Sequence, residues 1–196
     1  EILIGLVGSE MCIRDRYYKG IFTTLSSCAS RQLEEVTFRR ATISVPELMA
    51  TAGKYFRKVY KGNKAHIDFK IQPLEGRITG DWNQLRFLLE NLIDEACSVT
   101  LDGAVCLSAR EDGEFIRFLF TDMRREKTRE ELNQLFYPDL SRMTAGEKGE
   151  LYGTEYLVCK QIIRDHDEFA GRRGCRINAE PGKEGGFTIY FTLPKK

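Results

Sequence analysis

The chain has 196 residues, 42% apolar and 30% charged, and its 30 basic against 29 acidic side chains leave a net charge of +1. That balance excludes the strong positive field of a nucleic-acid or anionic-membrane binder, and the composition is that of a soluble globular chain with room for one sizeable domain plus an appended helix. Six cysteines without a Cys-x-x-Cys pair and only two histidines exclude a zinc knuckle and a multi-histidine metal centre, and no apolar run is long enough to cross a bilayer.

Residues 1–16, EILIGLVGSEMCIRDR, differ in character from the rest of the chain. Stretch 6–16 resembles the translation of a sequencing adapter, so this segment is expected to be a non-native leader. As a signal peptide it lacks a basic start and a clear cleavage site. Residues 17–40 read as a helix in which Tyr18, Leu25, Cys28, Leu33 and Val36 recur at near-heptad spacing. Such a seam suits a helical hairpin or dimer interface, and equally a helix lying on its own domain. Ser44-Val45-Pro46-Glu47 is a helix start, with a serine N-cap, a glutamate three residues on and a proline in the first turn. That helix runs to about residue 60, burying Leu48, Ala52 and Phe56. Residues 66–71 alternate, with Ile67, Phe69 and Ile71 inward and His66, Asp68 and Lys70 in solvent. Residues 76–79 form a short strand feeding Asp81.

The stretch 81–99 is the centre of the chain. Asp81 is an N-cap, and Trp82, Leu85, Leu88, Leu89, Leu92, Ile93, Ala96 and Val99 then form one wide apolar stripe. Asn91, Asp94, Glu95 and Ser98 lie opposite. Asn91 and Glu95, four residues apart, point the same way from adjacent turns and could hold a hydrated divalent ion; a solvated face of a core helix is the plainer reading. Residues 104–110 and 114–121 read as strands joined by a hairpin at Glu111-Asp112-Gly113. Thr128-Arg129-Glu130-Glu131 is a capping box opening a short helix to Phe136. Residues 137–150, with Pro138, Gly146 and Gly149, read as a mobile loop. Residues 151–165 form a second amphipathic helix, and 174–180 with 186–193 a closing hairpin. Cys97, Cys106 and Cys159 fall in these apolar patterns and read as buried, reduced thiols of a cytosolic protein. The expected fold class is α+β, a two-layer sandwich.

Several short motifs stand in a telling order: Gly80-Asp81 followed by Leu85, Asn91-Leu92-Ile93 and Ala96; Phe120-Thr121-Asp122 at a strand end; Leu135-Phe136-Tyr137-Pro138; Gly153; Lys160-Gln161-Ile162-Ile163 leading to His166; and Gly186 with Thr192-Leu193-Pro194. In this arrangement, over roughly residues 44–194, the chain resembles the ATP-binding domain of bacterial histidine kinases, in the superfamily shared with gyrase B, Hsp90 and MutL. The resemblance implies a mixed, mostly antiparallel sheet covered by helices on one face. It implies a division into the leader 1–16, a segment 17–43 in the place of the second dimerisation helix and linker, and an ATPase domain over 44–196. It implies Mg-ATP as cofactor, with Asn91 and Glu95 as magnesium ligands, Asp122 reading the adenine amino group, Gly153 opening a helix toward phosphate and 137–150 as the lid. The same likeness implies a homodimer through upstream helices and a response regulator or other signalling partner. It also implies a cytoplasmic location for a chain whose full-length form could be membrane-anchored. The family phosphoacceptor lies on a preceding helix and 17–40 holds no histidine. No catalytic residue is therefore assigned, and autophosphorylation is not expected.

The departures fall on the chemistry. Glu95 stands where the family helix has its second asparagine and adds negative charge beside the phosphates, and Ser98 stands where it has a lysine. Asp-x-Gly-x-Gly becomes Asp122-Met123-Arg124-Arg125-Glu126, without the glycines that let backbone approach a ligand. Gly-Leu-Gly-Leu becomes Gly153-Thr154-Glu155-Tyr156, with a carboxylate where a helix N-terminus should meet phosphate. Residues 167–173 replace a short glycine turn. Without the resemblance, Asp122 closes a strand-to-loop turn, Gly153 is a hinge, His166 terminates a helix, and Arg172 and Arg173 are a solvated loop. Two functions remain: a pseudokinase with a degenerate nucleotide site, which the departures favour, or an active Mg-ATP-dependent histidine kinase acting on a dimerisation helix absent from this sequence.

Overall fold

A computed structural model describes residues 38–60, 66–136, 154–183 and 185–196, with 154 and 155 described by backbone alone. The leader 1–16, residues 17–37 of the helix expected over 17–40, the loop 137–150 and Gly153 lie outside the described residues; residues 38–40 are described and are not helical.

Strand β1 (Ala41–Ser44) pairs antiparallel with β3 (Arg77–Gly80) as a ribbon of its own. Five strands make the main sheet, in the order β2 (Ile67–Gln72), β4 (Gly103–Asp112), β5 (Phe115–Asp122), β7 (Phe187–Pro194), β6 (Ile177–Pro181). The β2–β4 pair is parallel and the others antiparallel, so the sheet is mixed and mostly antiparallel, as expected. Residues 41–44 carry no strand signal of their own in the sequence. Four residues are too few to show an alternation, and their partner lies beyond a whole helix and strand.

Helix α1 (Val45–Val59) starts at Ser44, whose Oγ accepts from the Glu47 N–H at 3.4 Å, with Pro46 in the first turn where its missing N–H costs nothing. Helix α2 (Trp82–Cys97) is capped by Asp81, and α3 (Arg129–Gln134) by the Thr128/Glu131 capping box. Helix α4 (Thr154–Phe169) runs past His166, so His166 does not end the helix; it is fully buried instead. Leu85, Leu88, Leu89, Leu92, Ile93 and Ala96 of α2 are each at most 1% exposed. They share one core with Val105, Leu107, Ile116, Phe118, Ile189 and Phe191 of the sheet, where the Phe118 and Phe191 rings stack at 4.9 Å. Each such leucine contributes about 1.5–3 kcal/mol by leaving water.

Two expectations for side chains are corrected. Asp94 is not on a solvated strip: its Oδ1 accepts from the Tyr55 hydroxyl at 2.9 Å and the Tyr60 hydroxyl at 2.7 Å, tying α1 to α2. Cys97 and Cys159 are buried thiols, but Cys106 is only half-buried, because it holds the outward register of β4 between the inward Val105 and Leu107.

Candidate functional site

Strand β5 alternates strictly, with Ile116, Phe118 and Phe120 inward. The period of two therefore delivers its last residue, Asp122, to the core side as well. This carboxylate is fully buried at the strand end, beside the C-terminal end of α2. An unpaired carboxylate there would be prohibitively desolvated. Its partners are Arg124, which by sequence alone counted as a lost glycine, and Arg125 beside it. Asp122 Oδ1 accepts from the Arg124 backbone N–H at 3.0 Å and Arg124 Nε at 2.9 Å, and Oδ2 accepts from Arg124 Nη2 at 2.9 Å and Arg125 Nε at 2.8 Å. All four acceptor positions of the carboxylate are thereby filled.

Arg125 continues outward. Its Nη1 reaches Glu95 Oε1 at 3.4 Å, and its guanidinium lies 5.4 Å from the centre of the Phe187 ring, with Lys127 Nζ 5.6 Å from the same ring. Burial disfavours the Arg125 charge, but Tyr156, Asp122 and Glu95 outweigh it and hold the guanidinium above the usual arginine range. β7 begins against this corner. Gly186, at φ 70°, has its Cα so close to the Asp122 carbonyl that any Cβ would collide with it.

The opposite end of α2 is built differently. Asp81 Oδ1 accepts from the N–H groups of Asn83 at 2.9 Å and Gln84 at 3.1 Å, and Oδ2 from the Arg39 N–H at 2.7 Å. The Asp81 N–H donates to His166 Nε2 at 3.0 Å, which requires the proton of a neutral ring to sit on Nδ1, where it is donated to the Ile162 carbonyl at 2.8 Å. Burial lowers the His166 pKa below its ordinary value, with the Ile162 carbonyl and Asp81 acting in the other direction. His166 is thus an acceptor locked inside the fold.

Of the residues nominated from the sequence, Glu95 and Asp122 are brought together, with Arg125 between them. Asn91 does not join them: its Nδ2 is turned back on the Phe87 carbonyl of its own helix at 3.0 Å, leaving Oδ1 as its remaining ligand atom. Gly153 and the Glu155 side chain lie outside the described residues. Ser98 donates to the Glu95 carbonyl at 2.7 Å as part of the helix end. Arg172 and Arg173 are exposed, as expected, and pair with Glu114 and Asp167. Among the described residues no group of three His, Cys, Asp or Glu side chains converges as a metal site. An apolar crevice among Phe56, Phe69, Ile93, Ala96 and Phe120 is too narrow to admit water. Arg124 is the residue that sequence reasoning misses. The available signal is an arginine pair close behind an aspartate at an inward strand position.

A mixed five-stranded sheet carrying a capped central helix, with a buried aspartate where a strand leaves the sheet, is the architecture of the histidine-kinase type of ATPase. Residues 80–196 match the family described as histidine kinase-, DNA gyrase B-, and HSP90-like ATPase, and the chain belongs to it. It is a histidine kinase-like ATPase domain. The chain is similar to the adaptive-response sensory kinase SasA of Thermosynechococcus vestitus, 26% identical over 177 residues. That alignment covers 89% of this chain and 44% of SasA, so the chain spans less than half the length of this curated relative. In fold it is similar to the catalytic domain of histidine kinase ThkA (TM-score 0.59, 19% identity, 80% of this chain and 98% of that one). It is also similar to ThkA in its complex with the response regulator TrrA (TM-score 0.68, 17% identity, 94% of this chain and 50% of that one). Among the described residues no helix is long and apolar enough to cross a membrane.

Proposed function

We propose that this domain serves a two-component sensor kinase or kinase-like signalling protein as a pseudokinase module whose nucleotide site has degenerated. The observation that carries the reading is the Asp122 carboxylate, every acceptor position of which is occupied by the chain's own arginines. An adenine amino group would find no lone pair there. The Glu95 carboxylate, needed as a magnesium ligand, faces the Arg125 guanidinium. Asn91 keeps Oδ1 as its one ligand oxygen. Arranged so, these residues do not fit Mg-ATP. Under this reading residues 44–196 form the ATPase domain, joined by β1 from just upstream, with 17–43 as helix and linker and 1–16 outside the fold. The partners would be a second copy, through upstream helices, and a response regulator; ThkA, of like fold, forms a complex with one.

Titration calorimetry of the full chain with Mg-ATP tests the reading. The expected result is no saturable binding tighter than about 1 mM, since losing about 4 kcal/mol converts micromolar into millimolar affinity. Saturable, magnesium-dependent binding in the micromolar range would overturn it and favour the active kinase.

A further inference from the structure

Arginine is among the side chains least often buried, and its guanidinium N–H donors need acceptors when it is. Arg124 is 1% exposed in its side chain. Its Nε donates to Asp122 Oδ1 at 2.9 Å, and Nη2 donates to Asp122 Oδ2 at 2.9 Å and to the Ala96 carbonyl at 2.6 Å. Nη1 donates to the Leu101 carbonyl at 3.0 Å. These acceptors come from three separate places: the end of β5, the last turn of α2 and the turn before β4. The Ala96 carbonyl belongs to the helix end where carbonyls lack intrahelical partners and the helix dipole favours a cation. The floor is Gly103, at φ 130°, where a Cβ would stand 2.9 Å from Arg124 Cγ. The cradle therefore has a carboxylate fork, two carbonyls and a bare backbone floor, the pattern that matches a planar cationic donor rather than a point charge.

We infer that Asp122, the Ala96 and Leu101 carbonyls and Gly103 form a guanidinium site that the chain fills with its own Arg124, an internal ligand that holds the α2 end, the β4 turn and the β5 end together without any nucleotide. The functional meaning of this occupant rests on the degenerate-site reading above; the guanidinium site itself does not. Removing the Arg124 side chain leaves an anionic, guanidinium-shaped vacancy that a small alkylguanidinium ion can enter, restoring the same bonds.

The test is chemical rescue in the full chain. Arg124→Ala should lower the thermal midpoint by roughly 10 °C, the scale expected for breaking a buried charge pair in a domain of this size. Ethylguanidinium at millimolar concentration, well below denaturing levels, should raise it again saturably. It should not do so in the unmodified chain or in Arg124→Ala combined with Asp122→Asn, and methylammonium at equal ionic strength should not replace it. An Arg124→Ala midpoint equal to the unmodified one, or no saturable recovery, overturns the inference. Should Arg124→Ala not fold, hydrogen exchange of the arginine Nε–H groups in the unmodified chain decides. Arg124 is expected to exchange at least 100-fold more slowly than the exposed Arg173, and equal rates overturn the inference. Mg-ATP calorimetry on the same samples separates the two ideas. Guanidinium recovery together with micromolar Mg-ATP binding by the unmodified chain removes the degenerate-site reading alone. No recovery and no nucleotide binding removes the internal ligand alone.

Discussion

Asp81 and Asp122 are both buried carboxylates, 3% and 0% exposed, and they stand at the two ends of the same helix. At the α2 N-terminus Asp81 meets backbone N–H groups from Arg39, Asn83 and Gln84. Beside the C-terminus Asp122 meets two arginine side chains. The first carboxylate is held by neutral donors and the positive end of the helix dipole. The second is neutralised outright, and its arginine in turn serves the negative end of the helix through the Ala96 carbonyl. The two ends show two ways of making a buried carboxylate tolerable, neutral backbone donors in one case and opposite charge in the other. A carboxylate held by backbone alone can still exchange partners with a visitor, whereas one enclosed by buried guanidinium groups cannot do so without unpairing a charge.

The largest effect that would sharpen this contrast is at Asp122. Asp122→Asn leaves the buried Arg124 without its counter-charge and should cost about 3–5 kcal/mol, the penalty for breaking a buried pair from one side. Urea denaturation checks it, as a lower midpoint with the slope unchanged. Asp81→Ala should cost less, about 1–2 kcal/mol, because it removes a helix cap whose partners are neutral. Equal losses for the two variants would erase the distinction between the two ends.

The smallest effect is an acid sensitivity confined to the Asp81 end. His166 must stay neutral to accept from the Asp81 N–H, and its folded pKa lies below the unfolded value of about 6.5. The stability contributed by neutral His166 is therefore complete above that pH and is lost as pH falls from there through the folded pKa. Urea midpoints should hold down to about pH 6.5 and decline from there to about pH 5.5, a window above the ordinary carboxylate range. His166→Gln, which cannot titrate, should flatten the decline. An unchanged slope in His166→Gln would mean that the acid response comes from elsewhere in the fold.

The apolar stripe of α2, the serine and aspartate caps, the Thr128/Glu131 capping box and the β4–β5 hairpin were all legible in the sequence. Each depends on residues a turn or a pleat apart, where spacing alone decides which side chains share a face. The family was legible for the same reason, because its motifs sit on those elements in order. For Asp122 the inward position follows from the alternation of β5, but its partners do not. Arg124 looked like a replaced glycine, a loss of backbone freedom. Only folding brings the Ala96 carbonyl, 28 residues away in the chain, to the Arg124 guanidinium and turns that replacement into a filled site. The Asp94 tether to Tyr55 and Tyr60 and the pairing of β1 with β3 were decided in the same way. Local sequence determines which residues must be buried. The partners that make burying a charge or an edge tolerable are supplied by distant segments, and only the tertiary structure says which of them arrive.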